Sequence, residues 1–399
     1  MFKKIFPKFT IPLLVFLAMV SNCYFLISKN IESPLNELAL LNSKYGLIAA
    51  EPIDKNEIQV ADSLFRRVNL NASIMSILKP KKELIVQLKN NNNADLTNIF
   101  LLKLRTDSDL EEIAKAYEDL NIIRYAEPNF SLELNSEDIT PDDENKDGQD
   151  TAQSFNDDTK KSVIVAIIDS GVDVEHDDLK GRTIQGWDFV NNDNIPEDTL
   201  GHGTHLAGII ANNSSSAIIM PLRLTDGKNG RLSDLIKAIR FAIYKNAKIV
   251  NLSLGLFQQS RILKEAIDYA NQKNVFIIAA AGNYNSDEKY FPAAYTKVFS
   301  VAALNKKGQK LYQSNYGKWV DYSIVAQDIY SALPNNQYGY RTGTSQAAAF
   351  LTASVADILG ENPNIDLKTL SAELQKKSEL IQSGDYAGLL GRKLLQNNS

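Results

Sequence analysis

Cysteine is almost missing from this chain: Cys23 stands alone among 399 residues. A single thiol excludes an intrachain disulfide framework and any multi-cysteine zinc site, and it suits an oxidising compartment where unpaired thiols are a liability. Histidine is nearly as scarce, with only His176, His202 and His205, so every histidine-dependent chemistry has to run through these three. An excess of charge of one sign is lacking too. Lys plus Arg number 43 against 48 Asp plus Glu, for a net charge of −5, and no long basic run lies beside aromatic residues. No nucleic acid partner is expected on that balance. Long apolar runs are confined to one stretch near the start, which excludes a multi-span membrane protein. The remainder, 44% hydrophobic and 23% charged, is the composition of an ordinary globular protein with room for two or three compact domains.

The apolar stretch, residues 11–20, follows Lys3, Lys4 and Lys8. That order and length predict a signal peptide over 1–22, and hence export. A short membrane anchor is the other reading, since apolar character resumes over 23–27, near the lower length limit for a span. Val20-Ser21-Asn22-Cys23 is similar to a lipoprotein cleavage site, with Asn22 where a small residue is usual. A lipid on Cys23 would make the membrane contact without a helix. A plain strand over 23–28 is the alternative.

Ser33-Pro34 ahead of apolar residues three and four apart predicts an amphipathic helix. Strands are expected over 45–53 and 96–104. A helix is expected over 108–120, with Glu111 and Glu112 in its first turn and Leu110, Ile113, Ala114 and Tyr117 on one face. Residues 23–134 thus read as a small α+β domain. Residues 135–161 read as a flexible acidic linker, because ten acidic residues between Glu133 and Asp158 face one basic residue, Lys146. Within it, residues 143–148 have the spacing that opens an EF-hand-like calcium loop. Position twelve is Ser154 where a bidentate carboxylate belongs, so a solvated acidic turn is expected.

From residue 163 the pattern changes to continuous β-branched runs, the mark of strands buried on both faces. Runs at 163–168, 218–222, 247–254, 275–281 and 298–303 alternate with helical patterns at 232–244 and 261–272, and final helices are expected at 345–359 and 366–380. Residues 162–399 are therefore expected to form a doubly wound, mostly parallel α/β sheet with helices on both faces. Its ligands would sit at the carboxyl ends of the strands.

Three segments carry chemistry. Asp169 ends the first buried run and precedes Ser170-Gly171. His202 opens an apolar helix in Gly201-His202-Gly203-Thr204-His205, and Ser345 opens an Ala-rich helix after Thr342-Gly343-Thr344. Acid, base and hydroxyl follow in the order Asp, His, Ser, which among the known orders of this constellation is that of subtilisin. At these residues the chain resembles the subtilase family of serine peptidases. Asn251-Leu252-Ser253-Leu254-Gly255 is similar to the family's substrate-binding strand, and Ala279-Ala280-Ala281-Gly282-Asn283 to its oxyanion segment. The resemblance covers about 160–395 and extends upstream, where Tyr125-Ala126-Glu127-Pro128-Asn129-Phe130 is similar to the family's inhibitory propeptide.

The resemblance implies an exported serine endopeptidase made as a self-processing zymogen. Ser345 would be the nucleophile, His202 the base, Asp169 the group that orients it and Asn283 an oxyanion donor. Ser253, Leu254 and Gly255 would bind the substrate backbone. Substrates would be proteins or peptides, the propeptide an intramolecular inhibitor, and the protein a monomer. No cofactor or catalytic metal is implied. The segment 211–217 is short for the family's calcium loop, while Asp188, Asp193, Glu197 and Asp198 are exposed-looking carboxylates that leave a structural calcium elsewhere open. Two departures bear on specificity: Gln346-Ala347-Ala348-Ala349 follows the nucleophile where Met-Ala and a later Pro are usual, and Ala326-Gln327 replaces a Pro-Gly pair. Two other classes compete, namely an inactive subtilase-fold binding module at the cell surface and a metal hydrolase built on His202 and His205. The latter lacks a third ligand, so His205, like His176, reads as a packed histidine.

Overall fold

The computed structural model describes residues 32–45, 47–53, 82–89, 99–135, 138–140, 161–227, 230–381 and 384–396. The expected leader, Cys23 and the acidic turn at 143–148 lie outside the described residues. Contacts divide the chain after Asn129 into two units.

The first unit contains α1 (Glu32–Lys44), β1 (Leu47–Pro52), β2 (Lys82–Leu88), β3 (Ile99–Leu104), α2 (Leu110–Glu118) and β4 (Ile123–Pro128). The strands form one antiparallel sheet in the order β1-β3-β2-β4. Helix α2 begins where Asp109 Oδ1 accepts the backbone N–H groups of Glu111 and Glu112 at 2.8 and 3.2 Å. That cap satisfies two donors with no partner inside the helix and fixes the start two residues later than the expected Ser108. The apolar face of α2, with Ile113 and Tyr117, packs on Leu84, Val86, Phe100 and Leu102. The Tyr117 hydroxyl donates to Asn42 Oδ1 at 2.8 Å, tying α2 to α1.

The second unit opens with β5 (Ser131–Leu134) and β6 (Asp138–Thr140), followed by β7 (Val163–Asp169), β8 (Trp187–Asp188), α3 (His202–Asn212), β9 (Ala217–Arg223), β10 (Gly230–Arg231) and α4 (Leu232–Tyr244). Then come β11 (Ile249–Leu252), β12 (Leu254–Gly255), α5 (Arg261–Gln272), β13 (Phe276–Ala280), β14 (Val298–Leu304), β15 (Tyr322–Val325), β16 (Ile329–Leu333) and β17 (Gln337–Thr342). The unit closes with α6 (Thr344–Glu361), α7 (Leu367–Lys376), β18 (Ser378–Leu380) and β19 (Arg392–Leu394).

Nine strands form the main sheet in the order β18-β19-β15-β14-β13-β11-β7-β9-β8, parallel except for the antiparallel pair β18–β19. After β7 the chain goes to β9 on one side and returns to β11 on the other. The carboxyl ends of β7 and β11 therefore flank a switch point, the crevice where a doubly wound sheet binds ligands. Helices α3 and α6 are buried along nearly their whole length. Each fully covered Leu or Ile on them, such as Leu206, Ile210 and Leu351, contributes roughly 1.5–3 kcal/mol. Gly203 lets α3 reach the end of β7: a Cβ there would lie 2.0 Å from the Gly171 carbonyl oxygen.

Several boundaries differ from expectation. The run 247–254 divides at Ser253, because β11 stays in the main sheet while β12 leaves it to pair with β5. The last expected helix, 366–380, stops at Lys376, since Ser378–Leu380 pairs with β19 and Arg392 bonds the Ser378 hydroxyl and carbonyl. Asp138–Thr140, in the stretch read as a flexible linker, form β6 against β17. The first unit ends at Asn129, not 134. The Leu232 N–H takes the Phe130 carbonyl at 3.0 Å, and β5 pairs with β10 and β12 of the second unit.

Candidate active site

Asp169 and His202 meet because β7 ends where α3 begins. His202 Nδ1 lies 2.6 Å from Asp169 Oδ1, and both side chains are buried. A carboxylate only accepts, so Nδ1 carries the hydrogen of that bond. In the neutral ring Nε2 is then left as the basic nitrogen. Asp169 Oδ1 also accepts the Ser170 N–H at 2.7 Å, which fixes the carboxylate plane.

Asp198 builds the entry to α3. Its Oδ1 accepts from Ser170 Oγ, Leu200 N and Gly201 N, and its Oδ2 from Thr204 N and Thr204 Oγ1, at distances of 2.6–3.0 Å. Ser170 Oγ in turn accepts the Gly203 N–H at 3.0 Å. The residues on both sides of His202 are thereby tied to the residue after Asp169. Asp198 is 4% exposed, so the reading of it as an exposed carboxylate is corrected: its oxygens face five internal donors. Asp188 is likewise buried, bonded to Arg223 Nη1 at 2.8 Å and to the N–H groups of Val190 and Asn191. Among the described residues no cluster of three or more His, Cys, Asp or Glu could hold a metal ion.

Ser345 is the second residue of α6, fully buried, and its Oγ makes no hydrogen bond. Beside it, Asn283 Oδ1 accepts from Thr344 N at 3.0 Å and Thr344 Oγ1 at 2.9 Å. With Oδ1 so committed, the donor end Nδ2 passes over Gly343, where an added Cβ would come within 2.8 Å of it. Gly343 is thus the residue that leaves room for the amide next to Ser345.

The loop carrying Asn283 is clamped from behind. Asn315 Oδ1 accepts from Tyr284 N and Ser286 N, its Nδ2 donates to the Ala281 carbonyl, and its N–H to the Gly282 carbonyl, all at 2.8–3.1 Å. Lys310 Nζ shares its three hydrogens among four oxygens, Asn285 Oδ1 and the carbonyls of Leu311, Tyr312 and Ser314, at 2.8–3.0 Å. The same ammonium lies 5.2 Å from the Tyr316 ring centre and 5.0 Å from that of Tyr386. Burial pushes Lys310 down to about 8.

Of the segment expected to bind substrate, Leu254 and Gly255 form β12 and Ser253 precedes it. Leu254 faces Leu134, Gly255 faces Glu133, and the Ser253 carbonyl accepts the Asn135 N–H at 3.2 Å. Tyr284 donates its hydroxyl to Glu133 Oε2 at 3.0 Å; burial first, and that acceptor second, raise the phenol above its ordinary value of 10.0.

The two other histidines are structural. His205 Nε2 faces the carbonyls of Ile329 and Gly339 at 3.1 and 3.2 Å, so it carries a hydrogen and clasps the β16–β17 hairpin. Among the described residues no third His, Cys, Asp or Glu joins His202 and His205 in a group that could hold a metal ion. His176 Nε2 donates to the Gln337 carbonyl at 2.9 Å, and its ring meets Tyr338 edge-on at 4.9 Å. Asn315, Tyr284 and Lys310 had no role assigned from sequence, and Asp198 was read only as a surface carboxylate that could meet a cation. Asp198 three residues before Gly201 is the spacing of an Asx-type turn entering a helix, a signal that was there to be read.

Residues 160–393 match a family model described as the Subtilase family. The chain is 34% identical over 296 residues to the thermophilic serine proteinase of Bacillus sp. (strain AK1), covering 69% of this chain and 73% of that one. It is 37% identical over 206 residues to thermitase of Thermoactinomyces vulgaris, covering 49% and 74%. Among solved structures, fervidolysin from Fervidobacterium pennivorans, a keratinolytic enzyme related to subtilisin, superposes with a TM-score of 0.67 at 23% identity. That match covers 78% of this chain and 60% of the length of fervidolysin. A cold adapted subtilisin-like serine proteinase superposes with a TM-score of 0.56 at 29% identity, covering 61% and 93%.

Proposed function

The chain belongs to the subtilase family of serine endopeptidases, and from that premise we propose that Asp169, His202, Ser345 and Asn283 are its catalytic residues, in a protein exported as a self-processing zymogen. The observation that carries the reading is the buried 2.6 Å bond between His202 and Asp169, in a unit whose Asn283 is anchored on the residue before Ser345. The Ser345 hydroxyl gives its proton to His202 Nε2 as its oxygen attacks the substrate carbonyl. Asp169 holds the ring in the reactive tautomer and stabilises the imidazolium. The oxyanion receives Asn283 Nδ2–H together with the Ser345 backbone N–H, which lies in the first helical turn where no carbonyl precedes it. His202 then passes the proton to the leaving amine, and water cleaves the ester by the same route in reverse.

Substrates are proteins or peptides laid as an antiparallel strand along Ser253–Gly255. The first unit, within residues 23–134, acts as the inhibitory propeptide, and linkage in one chain makes its encounter with the site intramolecular. The leader directs export, with the released protein either free or held at a membrane by a lipid on Cys23. The test is Ser345→Ala expressed without any other protease. It should accumulate with the first unit still attached, while the unaltered chain is cut between 131 and 160. Cutting of Ser345→Ala within that window would show that another enzyme is the activator.

A further inference from the structure

Strands β11 and β13 are parallel neighbours, with Leu252 opposite Ala279. Beyond these rungs the two chains part. Residues 253–255 leave the main sheet for β5, while residues 281–283 run to the Asn283 amide, which lies against Gly343 and Thr344 beside Ser345. A cleft opens between the two segments at the carboxyl edge of the sheet. A substrate residue whose backbone follows 253–255 and whose carbonyl oxygen reaches Asn283 sends its side chain into that cleft.

The ring of Tyr290 already occupies it. A Cβ added at Gly255 would come within 2.5 Å of Tyr290 Cε1 and 2.8 Å of Cζ, and one added at Gly282 would lie 3.0 Å from Cδ1 and 3.3 Å from Cε1. One ring edge therefore touches both segments, from the substrate strand on one side to the residue before Asn283 on the other. Tyr290 is 1% exposed. Its depth is set by the backbone, because Leu256 and Phe291 exchange two N–H to carbonyl bonds at 2.9 Å. Its ring is also gripped from the side. Phe257 and Tyr284 pack on it with centres 5.1 and 5.5 Å away, and on each other at 5.2 Å. A ring held by its own backbone ladder and by two other rings does not yield to an incoming side chain, and a close-packed region takes extra atoms only by shifting its walls.

We propose that Tyr290 sets the specificity of this peptidase: its ring closes the cleft for the side chain before the scissile bond, so the substrates are peptides with a short residue such as Ala or Ser at that position. This rests on the function proposed above. Leu and Phe would have to displace the ring, and so are cut slowly. The ring itself is the barrier, and the Tyr290 hydroxyl is not needed for it.

The test uses two tetrapeptide p-nitroanilides that differ only in ending with Ala or Phe, so that release of nitroaniline fixes which bond is cut. The processed protein should prefer the Ala peptide about tenfold or more in kcat/KM. Tyr290→Phe keeps the ring and should keep that preference. Tyr290→Ala empties the cleft and should shift the ratio toward Phe by about tenfold or more. Tyr290→Leu, which leaves an apolar side chain under Phe257 and Tyr284, should shift it the same way and serves where Tyr290→Ala does not fold. Equal rates for the two peptides, or a preference for Phe, in the unaltered protein would overturn the proposal. So would an unmoved ratio in Tyr290→Ala or Tyr290→Leu, or loss of the preference in Tyr290→Phe. In each of these cases hydrolysis that disappears in Ser345→Ala leaves the proposed function standing. Hydrolysis that survives in Ser345→Ala, or none of either peptide by the unaltered protein, would count against that function instead.

Discussion

His202 Nδ1 lies 2.6 Å from Asp169 Oδ1 at a depth where neither side chain is more than 5% exposed. One histidine face is thereby fixed and the opposite nitrogen left basic. Asp169→Asn should leave the fold intact and lower kcat by about 10⁴-fold, the loss known for the equivalent change in trypsin. Since the carboxylate stabilises the imidazolium, its removal should also move the acid limb of the pH–rate profile to lower pH. An unchanged acid limb would separate Asp169 from His202.

Asn283→Ala should lower kcat by about 10²–10³-fold with little change in KM, the size known for the oxyanion-hole asparagine of subtilisin. Steady-state kinetics on one peptide substrate decide it. A matching rise in KM would mean that Asn283 binds the ground state.

Asp198 accepts five hydrogen bonds around the start of the His202 helix. Asp198→Ala leaves those donors buried without an acceptor and should destabilise the protein by about 3 kcal/mol or more. Denaturant unfolding of Ser345→Ala, with and without the change, measures this free of self-digestion. A difference below about 0.5 kcal/mol, ordinary for a surface site, would contradict the network.

Lys310 ties Asn285, two residues beyond Asn283, to three carbonyls of the neighbouring turn. Lys310→Met leaves that ring of oxygens without its donor. The change should cost about 1–3 kcal/mol and lower kcat more than it alters KM. Equal kinetics would mean that Asn315 alone positions the loop.

Tyr284 is raised above its ordinary 10.0 by burial and by the Glu133 carboxylate. A group whose folded value is raised contributes stability that is complete below its free value and lost as pH rises through the folded one. In the Ser345→Ala background, Tyr284→Phe should therefore lower the melting temperature at neutral pH. That deficit should vanish well above pH 10.0. A constant deficit would assign the effect to packing.

The main sheet was legible because its strands are buried on both faces and so read as unbroken β-branched runs, as over Val163–Asp169 and Val298–Leu304. Asp169, His202 and Ser345 stood out as candidates because each sits at a strand end or helix start inside a short motif. The β16–β17 hairpin was not, since its strands are short and Tyr-rich, although its turn residues Asn335 and Asn336 sit at φ 64° and 56°, the left-handed pair a tight hairpin needs. Strand β6 was hidden by composition: an acidic stretch cannot order itself, and Asp138–Thr140 are extended because β17 offers an edge to pair with. Asp198 and Lys310 work through contacts that chain position does not encode. Lys310 in particular bonds backbone carbonyls, for which residue type carries no signal.

The proposed mechanism turns on Ser345 as a nucleophile activated by His202. A fluorophosphonate probe, applied to the processed protein and mapped by peptide mass, tests it most directly. One covalent adduct per chain is expected, on the peptide containing Ser345, and it should be lost in His202→Ala. A protein that cleaves peptides while Ser345 stays unlabelled, or one labelled equally without His202, would contradict it.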